Sequence, residues 1–200
     1  GLAFGTGLHA TTKMCLEFLT QTVKGGESVL DVGAGSGVLS IAACRLGARI
    51  AVAVEKDPLA LRECQRNCAD NGVTRQVLIL GGSLLTPIRP WTGSGPRAKS
   101  RDGRHDILVC NINAEAAREV ARQANQVLAG HGSLILAGFT SEKEADVASA
   151  LAQGSPRDRR AGSTGGRSFR VEARLQEGPW VALCARPTRL PAHPAARNGG

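Results

Sequence analysis

From Ser28 onward, apolar runs of strand length alternate with stretches of helical period. Ser28–Val32 reads as a buried strand and Val38–Leu46 as a helix. Arg49–Val54 reads as a second strand. Pro58–Asn71 reads as a second helix, with Asp57 as its N-cap and Pro58 in the first helical position. Gln76–Leu80 and Asp106–Cys110 are expected strands, followed by a helix over Ala114–Leu128. A turn at Gly130-His131-Gly132 precedes a fifth strand, Ser133–Ala137, and a short helix, Glu142–Leu151. Near the end the rhythm changes: Phe169–Leu175 and Trp180–Ala185 are two strands joined directly by Gln176-Glu177-Gly178-Pro179. Strands alternating with helices predict an α/β chain with a parallel sheet covered on both faces.

The 200 residues suffice for one domain that buries about 70% of its unfolded surface. Aromatics make up 3% and Tyr is absent, so the core must be built from Leu, Val, Ile and Ala. No apolar run approaches the roughly 20 residues needed to span a membrane. The opening Gly1-Leu2-Ala3-Phe4 lacks the pattern of a secretion signal, so a cytoplasmic location is expected. The six cysteines fall inside helix or strand patterns without a CxxC pair and are expected to be reduced, structural thiols. Cys64 and Cys68, one helical turn apart, lack the further ligands a metal site requires.

The net charge of +8 sits away from the predicted core. Residues 1–88 hold eight basic and seven acidic side chains, whereas 89–104 hold five and one, and 155–200 nine and three. Thr86–His105 is expected to be a flexible basic insertion between the third and fourth strands, and 187–200 a disordered tail, leaving residues 1–186 as the domain. Such basic segments suit contact with acidic partners, or are simply solvated surface. No direct binding of nucleic acid is required by the pattern.

Chemistry enters at Val29-Leu30-Asp31-Val32-Gly33-Ala34-Gly35-Ser36-Gly37, a strand running into a glycine loop that opens a helix. Glycines at Gly33, Gly35 and Gly37 let the chain turn tightly and bring main-chain N–H groups close to a ligand. A dinucleotide fingerprint requires G-x-G-x-x-G, and its third glycine is here Val38. The G-x-G-x-G spacing after Leu30-Asp31 instead resembles the loop of methyltransferases, which implies S-adenosylmethionine (SAM) as the expected cofactor. Asp31 is expected to face the methionyl amino group or the loop's own N–H groups. Glu55, at the end of the next strand, is placed to accept from both ribose hydroxyls. After the third strand, Gly82-Ser83 occupies the place beside the adenine, where Ser83 can hydrogen-bond. With its terminal hairpin, the pattern is similar to the class I SAM-dependent methyltransferase (Rossmann-like) fold, a mostly parallel seven-stranded sheet closed by two antiparallel strands.

Residues Ala3-Phe4-Gly5-Thr6-Gly7-Leu8-His9-Ala10-Thr11-Thr12 precede an amphipathic helix through Leu19. This decapeptide closely resembles the signature of the bacterial methyltransferases that modify ribosomal protein L-eleven on lysine and N-terminal amines. The resemblance continues through Val29–Ala43, Glu55–Pro58, Asn111-Ile112 and the strand around Trp180–Leu183. It implies that Phe4 covers the methionyl end of the cofactor and that Gly5, Thr6 and Gly7 fold over it. It also implies that Thr11, Thr12 and Asn111 line the mouth where the substrate amine enters, with Asn111 orienting the nucleophile beside the cofactor. Thr11 can equally cap its helix. His9 is read as making a structural hydrogen bond and not as a base.

The sequence departs from that family in having Asn113 where Leu is usual and in its long basic insertion, and it is expected to comprise the catalytic domain alone. The expected reaction is SAM-dependent N-methylation, with lysine or the N-terminal amine of a ribosomal protein as acceptor and no metal. A small-molecule N-methyltransferase and a SAM-binding fragment are the alternatives. An arginine methyltransferase needs paired glutamates after the fourth strand, and an adenine-N6 enzyme needs two prolines and an aromatic there. Asn111-Ile112-Asn113-Ala114 supplies neither set.

Overall fold

The computed structural model describes residues 9–83, 104–154 and 167–188, together with the backbone of residues 89–90. In chain order the elements are α1 (Ala10–Thr22), β1 (Ser28–Val32), α2 (Val38–Arg45), β2 (Ile50–Glu55), α3 (Pro58–Asp70) and β3 (Val77–Gly81). After them come β4 (Arg89–Pro90), β5 (His105–Asn111), α4 (Ala114–Val127), β6 (Leu128–Thr140), α5 (Ser141–Gln153), β7 (Phe169–Glu177) and β8 (Trp180–Pro187). They build one sheet in the order β4-β3-β2-β1-β5-β6-β8-β7. Strands β3, β2, β1, β5 and β6 run parallel, and β8 and β7 close the sheet antiparallel.

From β1 the chain steps first toward β2 and β3 and later, through β5, in the other direction. The strand order therefore reverses at β1, and ligands of open α/β sheets bind beyond the carboxyl ends of the strands at such a point. Alternation along the strands divides the core in two. Val29, Ala51, Ala53, Val77, Ile107 and Val109 face α1–α3, where Met14, Phe18, Leu39 and Leu61 cover them. Leu30, Val32, Val52, Val54 and Leu108 face α4 and α5. Asp31 shares the parity of Val29 and so points into the α1–α3 layer.

Local chemistry accounts for the helix starts. Asp57 caps α3 by accepting from Leu59 N, with Pro58 just inside. Asn113, the residue at the usual Leu position, caps α4 by accepting from Ala116 N. Helix α1 is capped by His9, whose Nδ1 accepts from Thr11 N, so the capping role considered for Thr11 belongs to His9. The His9 ring also meets Trp180 edge-on, with centroids 4.9 Å apart, and seats α1 on the β7–β8 hairpin. All six cysteines are buried free thiols.

Two local expectations need correction. The stretch expected as an insertion contains a two-residue edge strand: Gly81 pairs with Arg89 and Leu80 with Pro90, which adds a short eighth strand beside the expected seven. Pro90 lacks an N–H, and an edge strand is where that absence is tolerated. The turn expected at Gly130-His131-Gly132 lies inside β6. Pairing steps from His105↔Leu128 to Ile107↔Ser133, so the three residues form an irregular stretch of strand and do not separate helix from strand. Residues Gly1–Leu8, most of 84–103, and 189–200 lie outside the described residues. The expectations for Phe4, Gly5, Thr6 and Gly7, for most of the insertion and for most of the tail fall there.

Candidate functional site

A cavity of about 680 Å³ opens at the carboxyl ends of β1, β2, β3 and β5, where the strand order reverses. Pockets for cofactor-sized molecules run from about 300 to 1,000 Å³. Its floor is the turn between β1 and α2. Gly33 N and Ala34 N both donate to Val54 O, at 2.8 and 3.0 Å, and Gly37 N donates to Ala34 O at 2.8 Å. Gly33 and Gly37 have φ of +74° and +84°, a region costly for any residue with a Cβ. Space makes the same demand: a Cβ on Gly33 would collide with the Ile112 side chain, and one on Gly37 would stand 2.5 Å from Cys64 Sγ.

Glu55 stands at the rim, at the end of β2. Its Oε2 accepts from Gly35 N at 3.0 Å, and its Oε1 accepts from Lys56 N and Asp57 N at 2.7 and 2.9 Å. A carboxylate has about four acceptor sites, so Oε2 keeps capacity for a ligand hydroxyl. The carboxylate thus ties the glycine loop to β2 and offers an acceptor to the cavity. Ser83 and Gly82 line the same wall, with Gly82 N bonded to Glu55 O at 2.9 Å.

Asp31 lies behind the loop and does not line the cavity. It is 1% exposed, and its Oδ2 accepts from Ser40 N at 3.1 Å and from Ser40 Oγ at 2.7 Å. Burial pushes its carboxyl up to about 6. The two Ser40 hydrogen bonds oppose that rise, and the Glu55 charge adds to it. The residue therefore clamps the first turns of α2 at the cost of a buried charge.

Another part of the lining is assembled from remote segments. Asn111, at the end of β5, donates from Nδ2 to Thr12 Oγ1 at 3.3 Å, and both residues line the cavity. Thr11 is buried beside them, with its Oγ1 2.8 Å from His9 Nδ1, and does not line the cavity. The structure thus brings Gly33, Gly35, Glu55, Ser83, Asn111 and Thr12 around one space and leaves Asp31, Gly37 and Thr11 in its supports.

Sequence reasoning missed the α4 wall. Glu115, Glu119 and Gln123 line the cavity with Ala116 and Val120. Their i, i+4 spacing marks one helix side, but nothing local says that this side faces a cavity. Lys56 and Ile112 were also missed as lining residues; Ile112 is a 40% exposed hydrophobe, a signal that only the structure makes visible. Among the described residues no group of three or more His, Cys, Asp or Glu is arranged to hold a metal ion. None of the described helices is long and apolar enough to cross a membrane.

Residues 1–186 match the family model described as "Ribosomal protein L11 methyltransferase". Proteins of that name from Pelotomaculum thermopropionicum and Halalkalibacterium halodurans are 41% and 37% identical over 186 residues, 93% of this chain. The chain spans about half the length of these relatives, 52% and 51%. The crystal structure of a ribosomal protein L11 methylase from Lactobacillus delbrueckii subsp. bulgaricus superposes with a TM-score of 0.74 at 26% identity, covering 92% of this chain and 81% of that one. An RNA methyltransferase from Salinibacter ruber, solved with S-adenosyl-L-homocysteine, shares the fold at 12% identity and a TM-score of 0.59.

Proposed function

Because the chain belongs to the ribosomal protein L11 methyltransferase family, we propose that it is the catalytic domain of a SAM-dependent N-methyltransferase whose acceptor is a lysine or N-terminal amine of ribosomal protein L11. The fold is that of the class I SAM-dependent methyltransferases. One observation carries the reading. The glycine loop with Glu55, and the Asn111–Thr12 pair, line a single cavity at the strand reversal.

The residues fit the cofactor. The turn at Gly33–Gly37 is packed so closely on Ile112 and Cys64 that it stays free of side chains at Gly33 and Gly37. Its Gly33-Ala34-Gly35 backbone lines the cavity, and Glu55 holds an acceptor at the rim where ribose hydroxyls would need one. Ser83 would bond the adenine edge, and the segment carrying Phe4, Gly5, Thr6 and Gly7 would cover the methionyl end. When bound, SAM supplies a methyl group on a sulfonium, which an amine displaces in line. Asp31 would hold the loop through α2, and its charge would favour the cationic methionyl end across it.

For the chain's own residues the task is alignment, since reacting atoms held about 3–3.5 Å apart recover much of the barrier. Asn111 Nδ2 is engaged by Thr12, and its Oδ1 would serve as the hydrogen-bond acceptor for an N–H of the substrate amine. A lysine amine with a reference pKa of about 10.4 must reach this site neutral, and desolvation beside a cation favours that form. The proton leaves to solvent before the amine is enclosed, so no strong side-chain base is needed.

Residues 1–186 act as one unit in this reading, in the cytoplasm where ribosomes assemble, and the basic insertion and tail are available to acidic partners. The test is transfer of labelled methyl from SAM to L11, to total ribosomal protein and to free amines, using the full-length protein. Label on L11 is expected. Label confined to small amines would replace the reading with a small-molecule enzyme, and S-adenosylhomocysteine binding without transfer would reduce it to a SAM-binding domain.

A further inference from the structure

The turn Asn111-Ile112-Asn113 is gripped from two sides by glycines remote from it in sequence. On one side, a Cβ on Gly33 would collide with the Ile112 side chain. On the other, Gly138 of β6 has φ +91°, and a Cβ there would stand 2.7 Å from the Ile112 carbonyl carbon and 2.8 Å from its backbone N and O. These are main-chain atoms, which cannot swing aside as a side-chain tip can. The strand is shaped for this approach. Pairing of β6 with β8 steps from Leu136↔Leu183 to Phe139↔Val181, three residues against two, so β6 bulges where Gly138 sits. The preceding residue, Ala137, is the parallel partner of Asn111. Ile112 belongs to neither core layer and lines the cavity, so burial in the core does not explain its place.

We propose that Gly138 is a positioning residue for the methyl acceptor, acting through the Ile112 backbone to set how far Asn111 reaches over the cofactor loop. The inference rests on the methyl-transfer reading above. An ordinary contact at residue 138 needs about 3.4 Å and the Ile112 carbonyl carbon would stand at 2.7 Å, so a methyl group there forces the two apart by about 0.7 Å. The turn cannot retreat freely, because Ile112 already abuts Gly33. The displacement passes along the chain to Asn111 and to its 3.3 Å bond with Thr12. In-line transfer is sensitive to this, since a misplacement of about 1 Å can cost 10²-fold in rate. The glycine loop resists the push through its own hydrogen bonds to Val54 and Glu55, so the shift is taken up at Asn111 and cofactor affinity is spared.

The test compares Gly138→Ala with the wild type in the full-length protein. The expected result is a fall in kcat of tenfold or more, with the dissociation constant for S-adenosylhomocysteine within threefold. The Asn111 side-chain amide cross-peak, identified by its loss in Asn111→Asp, is expected to shift. General loss of stability would not produce that split or that local shift. An unmoved Asn111 cross-peak, an unchanged kcat, or equal losses of kcat and affinity would overturn the proposal. If Gly138→Ala does not fold, Ile112→Val decides: removing Cδ1 above Gly33 is expected to shift the same cross-peak and lower kcat about threefold. An unchanged peak and rate in that variant refute the proposal. A wild-type protein that binds S-adenosylhomocysteine yet methylates no amine refutes the functional reading instead, and the amide shift still decides the placement.

Discussion

Under the proposed function, backbone closes the cofactor side of the cavity and side chains close the acceptor side. On the first, Gly33–Gly37 folds within five residues, hydrogen-bonds to Val54 of the adjacent strand and is bridged by the Glu55 carboxylate. On the second, Asn111 and Thr12 are 99 residues apart and meet only because α1 packs across the sheet beside β5. A wall of backbone tolerates almost no substitution at its glycines but needs few other identities. A wall of side chains depends on where whole elements sit. The first side is therefore expected to govern affinity and the second turnover.

The largest effect expected is from Gly33→Ala. The substitution meets both a positive φ and the Ile112 side chain, and strain of this kind costs about 1–3 kcal/mol before any clash. Calorimetry with S-adenosylhomocysteine should show affinity reduced by roughly 100-fold or more. Retained affinity would mean that the floor of the cavity is softer than its geometry.

Asp31→Asn probes the support beneath that floor through pH. The native carboxyl titrates near 6, above its ordinary value of 3.8. The native state therefore binds the proton more tightly than the unfolded chain does. Its stabilising contribution is full below about pH 4 and is lost as pH rises through 6. At pH 8 the buried charge costs on the order of 3 kcal/mol, so the Asn variant should unfold at higher denaturant concentration than the wild type. The gap should close toward pH 4. A gap independent of pH would show that the charge is not the cause.

Glu55→Gln keeps an acceptor but removes the charge. Hydrogen bonds to charged groups contribute about 1.5–3 kcal/mol, so S-adenosylhomocysteine affinity should fall roughly 10- to 100-fold. Asn111→Ala should do the opposite, with kcat down roughly 10- to 100-fold and affinity nearly unchanged. Equal losses in the two variants would erase the division between the walls. Smallest is Asn113→Ala, which removes the α4 cap and should cost about 1 kcal/mol. In a chain of this size that is a thermal midpoint lower by roughly 2–4 °C.

Much of this architecture is legible in residue order. The strand–loop–helix at Val29–Gly37 and the Asp57-Pro58 helix start are local events, decided by spacing and cap chemistry, and the predicted bounds agree with the observed ones within a residue or two for α2, β2, α3 and β3. Where prediction failed, long-range pairing decided. Gly130-His131-Gly132 has turn composition, yet it lies in β6 because Leu128 and Ser133 both find partners on β5. Arg89–Pro90 has no strand pattern and becomes one only because Gly81 and Leu80 present a free edge.

The site divides in the same way. Gly33, Gly35 and Glu55 follow from spacing, because a parallel sheet carries consecutive strand ends to one rim. Thr12 and Asn111 stand out only through family resemblance, and contact between them is a property of the packed fold. Residue order by itself determined the α/β rhythm, the glycine loop and the acidic strand end, since each is specified by neighbours a few positions apart. Only tertiary structure decided that Asp31 is buried under α2 and not in the cavity, that α4 supplies a wall, and that Ile112 is wedged between Gly33 and Gly138. Those outcomes depend on which surfaces of remote elements are pressed together, and no local pattern records that.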